Sequence, residues 1–401
     1  MAKQTAVLRC DPAVISFNEL EHSQFKDSQT LPALQHARIL LQDLKPVAFP
    51  TETVYGLGAL ALNATAAASI FSTKGRPPDN PLIVHVSSKE MLSRLLPPSY
   101  TLSRAYQTLI RRFWPGPLTL LFPTDSSIVP PIITAGQPTV AIRMPSHPVA
   151  RALIDVVNAP LAAPSANSSG KPSPTRAEHV LKDLEGKIEL ILDGGSCGVG
   201  LESTVVDGLQ EDGNVRVLRP GGVTVEDIEK ALWEEYGDDP SIPRVLVHRR
   251  DYQDEAMEQA PTTPGMKYRH YSPSIPVILM HTSSQPLQEA LGLSPDAFFK
   301  SLKSRFTHAD VLKIGLITPS DSPLLGSIPA LAGVEWHEYP LGPVSDPSVS
   351  AQRLFNSLLT AEQDGADIIL IEEVIEEREG LAVMNRVKKA AGESVWLRRT
   401  T

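Results

Sequence analysis

Cysteine and long apolar runs are what this 401-residue chain has least of. Its two cysteines, Cys10 and Cys197, can build neither a disulfide framework nor, alone, a four-ligand zinc site. The longest apolar stretches, such as AVLRC and DIILI, fall far short of the ~20 residues a membrane helix needs, so no membrane partner is expected. MAKQTAVLRCDPAV has no apolar core after its lysine, and Asp11, Glu19, Glu21 and Asp27 soon follow. A secretory signal or mitochondrial presequence is therefore not expected, and a cytoplasmic location is. Positive charge is also scarce: 37 Lys and Arg stand against 46 Asp and Glu, a net charge of −9. With aromatic residues at only 5%, that balance argues against a general nucleic-acid coat or a base-stacking platform.

What the chain has is an ordinary globular composition, 42% hydrophobic and 21% charged, enough for two or three domains of roughly 150 residues each. Its 36 prolines divide it legibly. Residues 31–45 show helical apolar spacing; PVAFPTETVYGLGALAL then reads as strand, turn and a run of small residues. NATAAASIFSTKGR is a helix closing on Gly75, and SYTLSRAYQTLIRRFWP an amphipathic helix stopped by Pro115. PLIVHVSS, PLTLLFP, PTVAIRMP, LAAPSAN, KIELILDGG and STVVDGL read as strands. The alternation predicts one α/β domain over 1–236, with its core at about 31–223. Residues 237–275, rich in proline and charge, predict an extended linker. A second alternating stretch, 276–401, predicts a smaller Rossmann-like α/β domain. The acidic run Glu372 to Glu379 reads as a solvated strand end and loop.

The common nucleotide and hydrolase signatures are missing. There is no GxxxxGK[ST], no GxGxxG, no HExxH, no CxxC and no nucleophile elbow. Ser168-Ser169-Gly170-Lys171 matches SxxK only in a Gly/Pro loop, without the partner motifs such enzymes carry. Two segments are nonetheless locally basic. Between Ser126 and Ala177 Asp155 is the one acid against Arg143, Arg151, Lys171 and Arg176; between Thr53 and Lys89, Asp79 stands against Lys74, Arg76 and Lys89. That pattern suits a small anion pocket. In KGRPPDNPLIVHV, Lys74 supplies a movable point charge and Arg76 a planar fork, a pair suited to polyphosphate. In APSANSSGKPSPT, Ser165 and Asn167 would face one way if the segment is extended. Thr139 and Arg143 would share a strand face in TVAIRMP. Ser203 in GLEST and Arg219 in VLRPGG complete the set.

FPTETVYGLG, KGRPPDNPLIVHV, AIRMP, APSANSSGKPSPT, GLESTVVD and LRPGG, in this order, resemble the threonylcarbamoyl-AMP synthase family. PGMKYRHYSP resembles its interdomain linker, and GLAVMNRVKKAA the last helix of its second domain. The resemblance implies a YrdC-like open twisted sheet with a large concave basic cavity, plus the Rossmann-like domain. It implies synthesis of L-threonylcarbamoyl-adenylate from L-threonine, bicarbonate or CO2, and ATP with Mg2+, without an organic cofactor or a resident metal. The product would pass to a tRNA threonylcarbamoyl transferase complex acting on adenosine-37, with weak tRNA contact compatible. By motif, the catalytic set falls on Lys74, Arg76, Ser165 and Asn167. Threonine contacts fall on Thr51, His85, Arg143, Ala163 (through its backbone) and Ser203. ATP contacts fall on Arg76, Asn80, Thr139, Ser165, Ser173 and Arg219, with a linker tyrosine, Tyr268 or Tyr271, closing over the site. Two other readings compete. One is a carbamoyl-adenylating enzyme of the hydrogenase-maturation type, whose acylphosphatase module and zinc fingers this chain lacks. The other is a double-stranded RNA or tRNA-binding module.

Overall fold

The computed structural model describes residues 4–26, 29–248, 250–254, 270–282, 293–306 and 311–398. The chain divides into two compact units, Met1–Ser169 with Ser173–Tyr268, and Gly170–Pro172 with Arg269–Thr401. None of the described helices is long and apolar enough to cross a membrane.

Among the described residues the first unit is built on thirteen short strands: β1 (Ala6–Arg9), β2 (Ile15–Phe17), β3 (Ser23–Phe25), β4 (Val47–Phe49), β5 (Gly56–Leu60), β6 (Ile83–His85), β7 (Leu118–Pro123), β8 (Thr139–Arg143), β9 (Leu161–Ala162), β10 (Leu190–Asp193), β11 (Thr204–Asp207), β12 (Val215–Arg219) and β13 (Val245–Val247). Eleven form one mixed sheet in the order β1-β10-β4-β5-β9-β6-β8-β7-β11-β12-β13, and β2 and β3 pair as a separate hairpin. The central strands read as nearly continuous apolar runs because both faces are covered, as with TLLF in β7. Helices start and stop where side chains dictate. Asn63 accepts the Ala66 N–H to open Ala64–Lys74, and Ser103 accepts that of Tyr106 to open Arg104–Phe113. Thr224 and Asp227 form a reciprocal capping box ahead of Val225–Tyr236.

The second unit holds β14 (Val277–His281), β15 (Leu312–Thr318), β16 (Val334–Pro340), β17 (Ile368–Glu372) and β18 (Glu393–Trp396), all parallel, in the order β16-β15-β17-β14-β18. Its described helices are Pro295–Arg305, Pro347–Gln363 and Glu379–Ala390, the last of them on the GLAVMNRVKKAA segment. One core joins Ile278, Met280, Phe298, Phe299, Leu316 and Leu370 across strands and helix.

Three findings differ from the sequence reading. Val245–Val247 pairs in parallel with β12, so part of the expected extended linker is an edge strand. VEWHEYP is a strand, which its charges hid. The acidic run is not uniformly solvated: Glu372 is 5% exposed at the end of β17, whereas Glu376 and Glu377 are exposed.

Glycine matters most where the PGG turn after β12 passes over the LEST segment. A Cβ on Gly221 would lie 2.3 Å from the Glu202 carbonyl oxygen and 2.4 Å from the Thr204 nitrogen, both backbone atoms that cannot swing aside. We expect Gly221→Ala to destabilise the first unit by about 1–3 kcal/mol through overpacking. Gly198→Ala, where a Cβ meets nothing within 4 Å, should cost under ~0.5 kcal/mol. Urea unfolding of both variants checks this, and equal midpoints would refute it.

Candidate active site

Lys74 ends an alanine-rich helix at Gly75, whose left-handed φ of 62° turns the chain into the Pro-Pro segment. A cation in a helix's last turn is favoured by the helix dipole, yet this one is only 4% exposed. Its Nζ donates to the carbonyl oxygens of Ser165 and Asn167, with Asn167 Oδ1 at 3.5 Å, and its own carbonyl accepts from Ser169 N at 2.8 Å. The Ser165–Asn167 segment is therefore not extended as expected. Asn167 N bonds back to Ser165 O at 3.0 Å, turning carbonyls toward the lysine. Ala166, fully buried against Tyr55, Leu57 and Val180, pins that turn from below. Asp183 accepts from both Ser168 N and Ser168 Oγ, anchoring its far end. Burial holds the Lys74 amine well below the ordinary lysine range; Arg76 pushes the same way, and Asp183 and Glu202 oppose both.

Arg76, 7% exposed, is held by its own loop: Nε donates to Asn80 O at 3.2 Å and Nη2 to Pro81 O at 2.8 Å. The Asn80 side-chain oxygen is buried without a hydrogen-bond partner. From there β6 runs beside β8, with His85 opposite Arg143 in a parallel register. His85 Nδ1 lies 3.1 Å from Ile83 O, and burial, then the Arg143 charge, holds its pKa well below the usual histidine range. It is a neutral imidazole at physiological pH.

Arg143 is the centre of the second cluster. Nη1 donates to Thr53 Oγ1 at 3.1 Å and Nη2 to Glu52 Oε2 at 3.2 Å, while Nε is buried without a partner. Glu52 Oε2 also accepts from Ser146 N at 3.2 Å, and Oε1 is buried and unpartnered. Thr51 Oγ1 closes its own turn, donating to Val54 O at 2.6 Å and meeting Thr53 Oγ1 at 2.7 Å. Ala163 N donates to Ile83 O at 3.0 Å, tying the start of the Ser165 loop to β6.

The third cluster lies on β11 and β12. Arg219 Nη2 donates to Ser203 O at 2.9 Å and reaches Ser203 Oγ at 3.3 Å; Ser203 Oγ lies 2.7 Å from Thr119 Oγ1. Ser173 Oγ donates to Glu202 Oε1 at 2.6 Å. Thr139 stands at the opposite end of β8 from Arg143, about 13 Å away at strand rise, with its hydroxyl oxygen buried and unpartnered. Tyr268 lies outside the described residues. Tyr271 is 1% exposed within the second unit, its ring 5.2 Å from Phe355 and 5.8 Å from the Arg386 guanidinium.

The sequence-derived residues thus meet in small groups: Lys74 with Ser165 and Asn167, Arg76 with Asn80, Arg143 with the Thr51–Thr53 turn and His85, and Ser203 with Arg219. Sequence reasoning missed Glu52, Thr53, Glu202 and Asp183. Glu52 carried a readable signal, an acid set inside the apolar run VAFPTETVYGLGAL. Chemically the donors are cations, amides and hydroxyls, a set that suits carboxylate and phosphate oxygens.

Residues 40–221 match the family described as Telomere recombination, and residues 223–392 the one described as Threonylcarbamoyl-AMP synthase, C-terminal domain. A threonylcarbamoyl-AMP synthase of Schizosaccharomyces pombe is 41% identical over 429 residues, covering 97% of this chain and 98% of that one. One from Pyrococcus abyssi is 43% identical over 352 residues, covering 88% and 92%. The crystal structure of P. abyssi Sua5 complexed with L-threonine superposes with a TM-score of 0.75 at 36% identity, over 99% of this chain and 100% of that one. Similarity of this extent through both units leaves one assignment: the chain belongs to the threonylcarbamoyl-AMP synthase family.

Proposed function

We propose that the first unit joins L-threonine, bicarbonate or CO2, and ATP into threonylcarbamoyl-AMP, releasing pyrophosphate. The threonine amine adds to CO2 to give a carbamate; a carbamate oxygen then attacks the α-phosphorus, and the bond from that phosphorus to the α,β-bridging oxygen breaks as pyrophosphate leaves. The observation that carries this reading is a set of buried cations seated on neutral oxygens. Lys74, Arg76 and Arg219 each donate to backbone carbonyl oxygens, neutral acceptors that hold these basic groups in place. Residual positive charge in a place of low dielectric favours an anion and stabilises charge that builds on phosphate oxygens.

Lys74 and Arg76 take the role of electrostatic stabilisers. Arg143, through its unpartnered Nε, meets the threonine carboxylate or the carbamate, and Thr51, His85, Ala163 and Ser203 are the other threonine contacts. Asn80, Thr139, Ser165, Ser173 and Arg219 orient the nucleotide, and Asn167 fixes the Lys74 ammonium. Orientation is most of the task when three substrates must meet. The threonine complex of the P. abyssi relative supports the amino-acid assignment. Magnesium enters as part of the MgATP substrate, whose phosphates the donor set suits. The product is handed to a tRNA threonylcarbamoyl transferase complex.

Pyrophosphate release by the purified chain should require both L-threonine and bicarbonate; release indifferent to threonine would overturn the reading. Lys74→Ala and Arg76→Ala should each lose about 10²-fold or more of that rate, with an unchanged circular dichroism spectrum. Full activity in either variant would remove its role.

Lys74 also gives ATP binding a pH dependence. Burial depresses the free amine's pKa, and bound polyphosphate favours the ammonium and raises it. ATP binding should therefore take up a proton at pH above the free-state pKa, and affinity should fall as pH rises from there to the bound-state value. Calorimetry in two buffers of different ionisation enthalpy measures the uptake, which Lys74→Met should abolish. An uptake of zero in the parent protein from pH 6 upward would contradict the mechanism.

A further inference from the structure

We propose that the second unit carries a binding site of its own for a free α-amino acid with an apolar side chain. The site is a cavity of about 330 Å³ lined by Thr282, Pro295, Leu324, Glu372, Leu397 and Arg398, among others. It lies where an open parallel sheet is expected to bind ligands. β14 and β17 are neighbours, but the chain leaves β14 for β15, beyond β17, and leaves β17 for β18, on the far side of β14. The two connections depart in opposite directions and open a crevice at the strand ends. Thr282 directly follows β14, and Glu372 is the last residue of β17.

Part of the lining is built to meet a donor. Glu372 accepts hydrogen bonds from Thr282 Oγ1 at 2.8 Å, Ser322 Oγ at 2.8 Å and Thr318 Oγ1. The hydroxyl proton of Thr282 is spent on that carboxylate, so what the hydroxyl can still offer is a lone pair. A carboxylate and an acceptor hydroxyl side by side suit an ammonium group. Glu373, the next residue, is engaged by His281 at 2.6 Å and Thr282 N at 2.8 Å.

Another part of the lining is cationic. Arg398, exposed, shares the rim with the start of the eleven-residue helix Pro295–Arg305. The two are tied together, because Arg398 N donates to Leu293 O at 2.8 Å and Leu293 N to Trp396 O at 2.9 Å. A guanidinium beside a helix N-terminus suits a carboxylate. Leu324, Leu397, Pro295 and Pro323 supply apolar lining for a side chain. The volume is near the low end of ligand cavities, about 300–1,000 Å³, which suits a single small molecule. A nucleotide phosphate, with two negative charges, fits poorly beside Glu372 with one arginine to receive it. The polarity is that of a zwitterion.

Equilibrium dialysis of the full chain against labelled L-leucine, L-isoleucine, L-valine, L-methionine and AMP, each taken into the millimolar range, tests the proposal. At least one of the four amino acids should bind at one equivalent per chain. Arg398→Ala, an exposed change that leaves the core intact, should weaken that binding at least about tenfold, as should Glu372→Gln. Arg143→Ala, in the first unit, should leave it unchanged. Three results would overturn it: no binding by any of the four, binding of AMP in their place, or amino-acid binding that survives Arg398→Ala and is lost in Arg143→Ala. Because the readout is binding and not turnover, failure here is distinct from failure of the synthase reading.

Discussion

Lys74, Arg76, Arg143 and Arg219 are each 7% exposed or less, and taking a charge out of water costs several kcal/mol per ion. For Lys74, Arg76 and Arg219 the first unit meets that cost locally with carbonyl oxygens. This dictates where the chain must turn: Ser165–Asn167 folds back so that two carbonyls face Lys74, and the Pro-Pro loop curls so that Asn80 and Pro81 face Arg76. Loops that look irregular in the sequence are thus shaped by the cations they enclose. An anion binding there finds its donors already desolvated and held in place.

Glu52 supplies the counterweight. Its carboxylate takes the Arg143 guanidinium and the Ser146 N–H, while its backbone carbonyl takes Val199 N at 2.8 Å. One residue therefore ties together the turn after β4, the end of β8 and the loop ahead of β11. Removing its charge would leave Arg143 buried without its carboxylate partner, a change that destabilises by about 3–5 kcal/mol in comparable pairs. Arg143 can offer Nε to a ligand because Glu52 and Thr53 occupy its other nitrogens.

Much of this was legible before any coordinates. The helix ending at Lys74, the strands carrying His85 and Arg143, and the second unit's alternation all follow from apolar spacing and from glycine and proline punctuation. What was not legible depends on tertiary partners. The backbone turn at Ser165–Asn167 is set by a lysine some ninety residues earlier, and serine and asparagine permit either conformation. Glu372 reads as one more surface acid until Thr282, Thr318 and Ser322 close on it from two other segments. Periodicity reports burial of apolar side chains, so buried polar groups held by distant hydroxyls leave no mark on it.

β16 was illegible for a different reason, and the reason has a use. Among the described residues the strand forms the outer margin of the second unit's sheet, and seven residues of it pair with β15 along one side only. A margin of that length is an open template onto which a strand from another chain could add. Glu335, Glu338 and Pro340 stand exposed along it, and His337 lies 2.8 Å from Glu335. Charge and a missing N–H make the margin unattractive to an incoming strand. The residues that disguise β16 as a loop are those that keep neighbouring copies of the protein from fusing sheet to sheet.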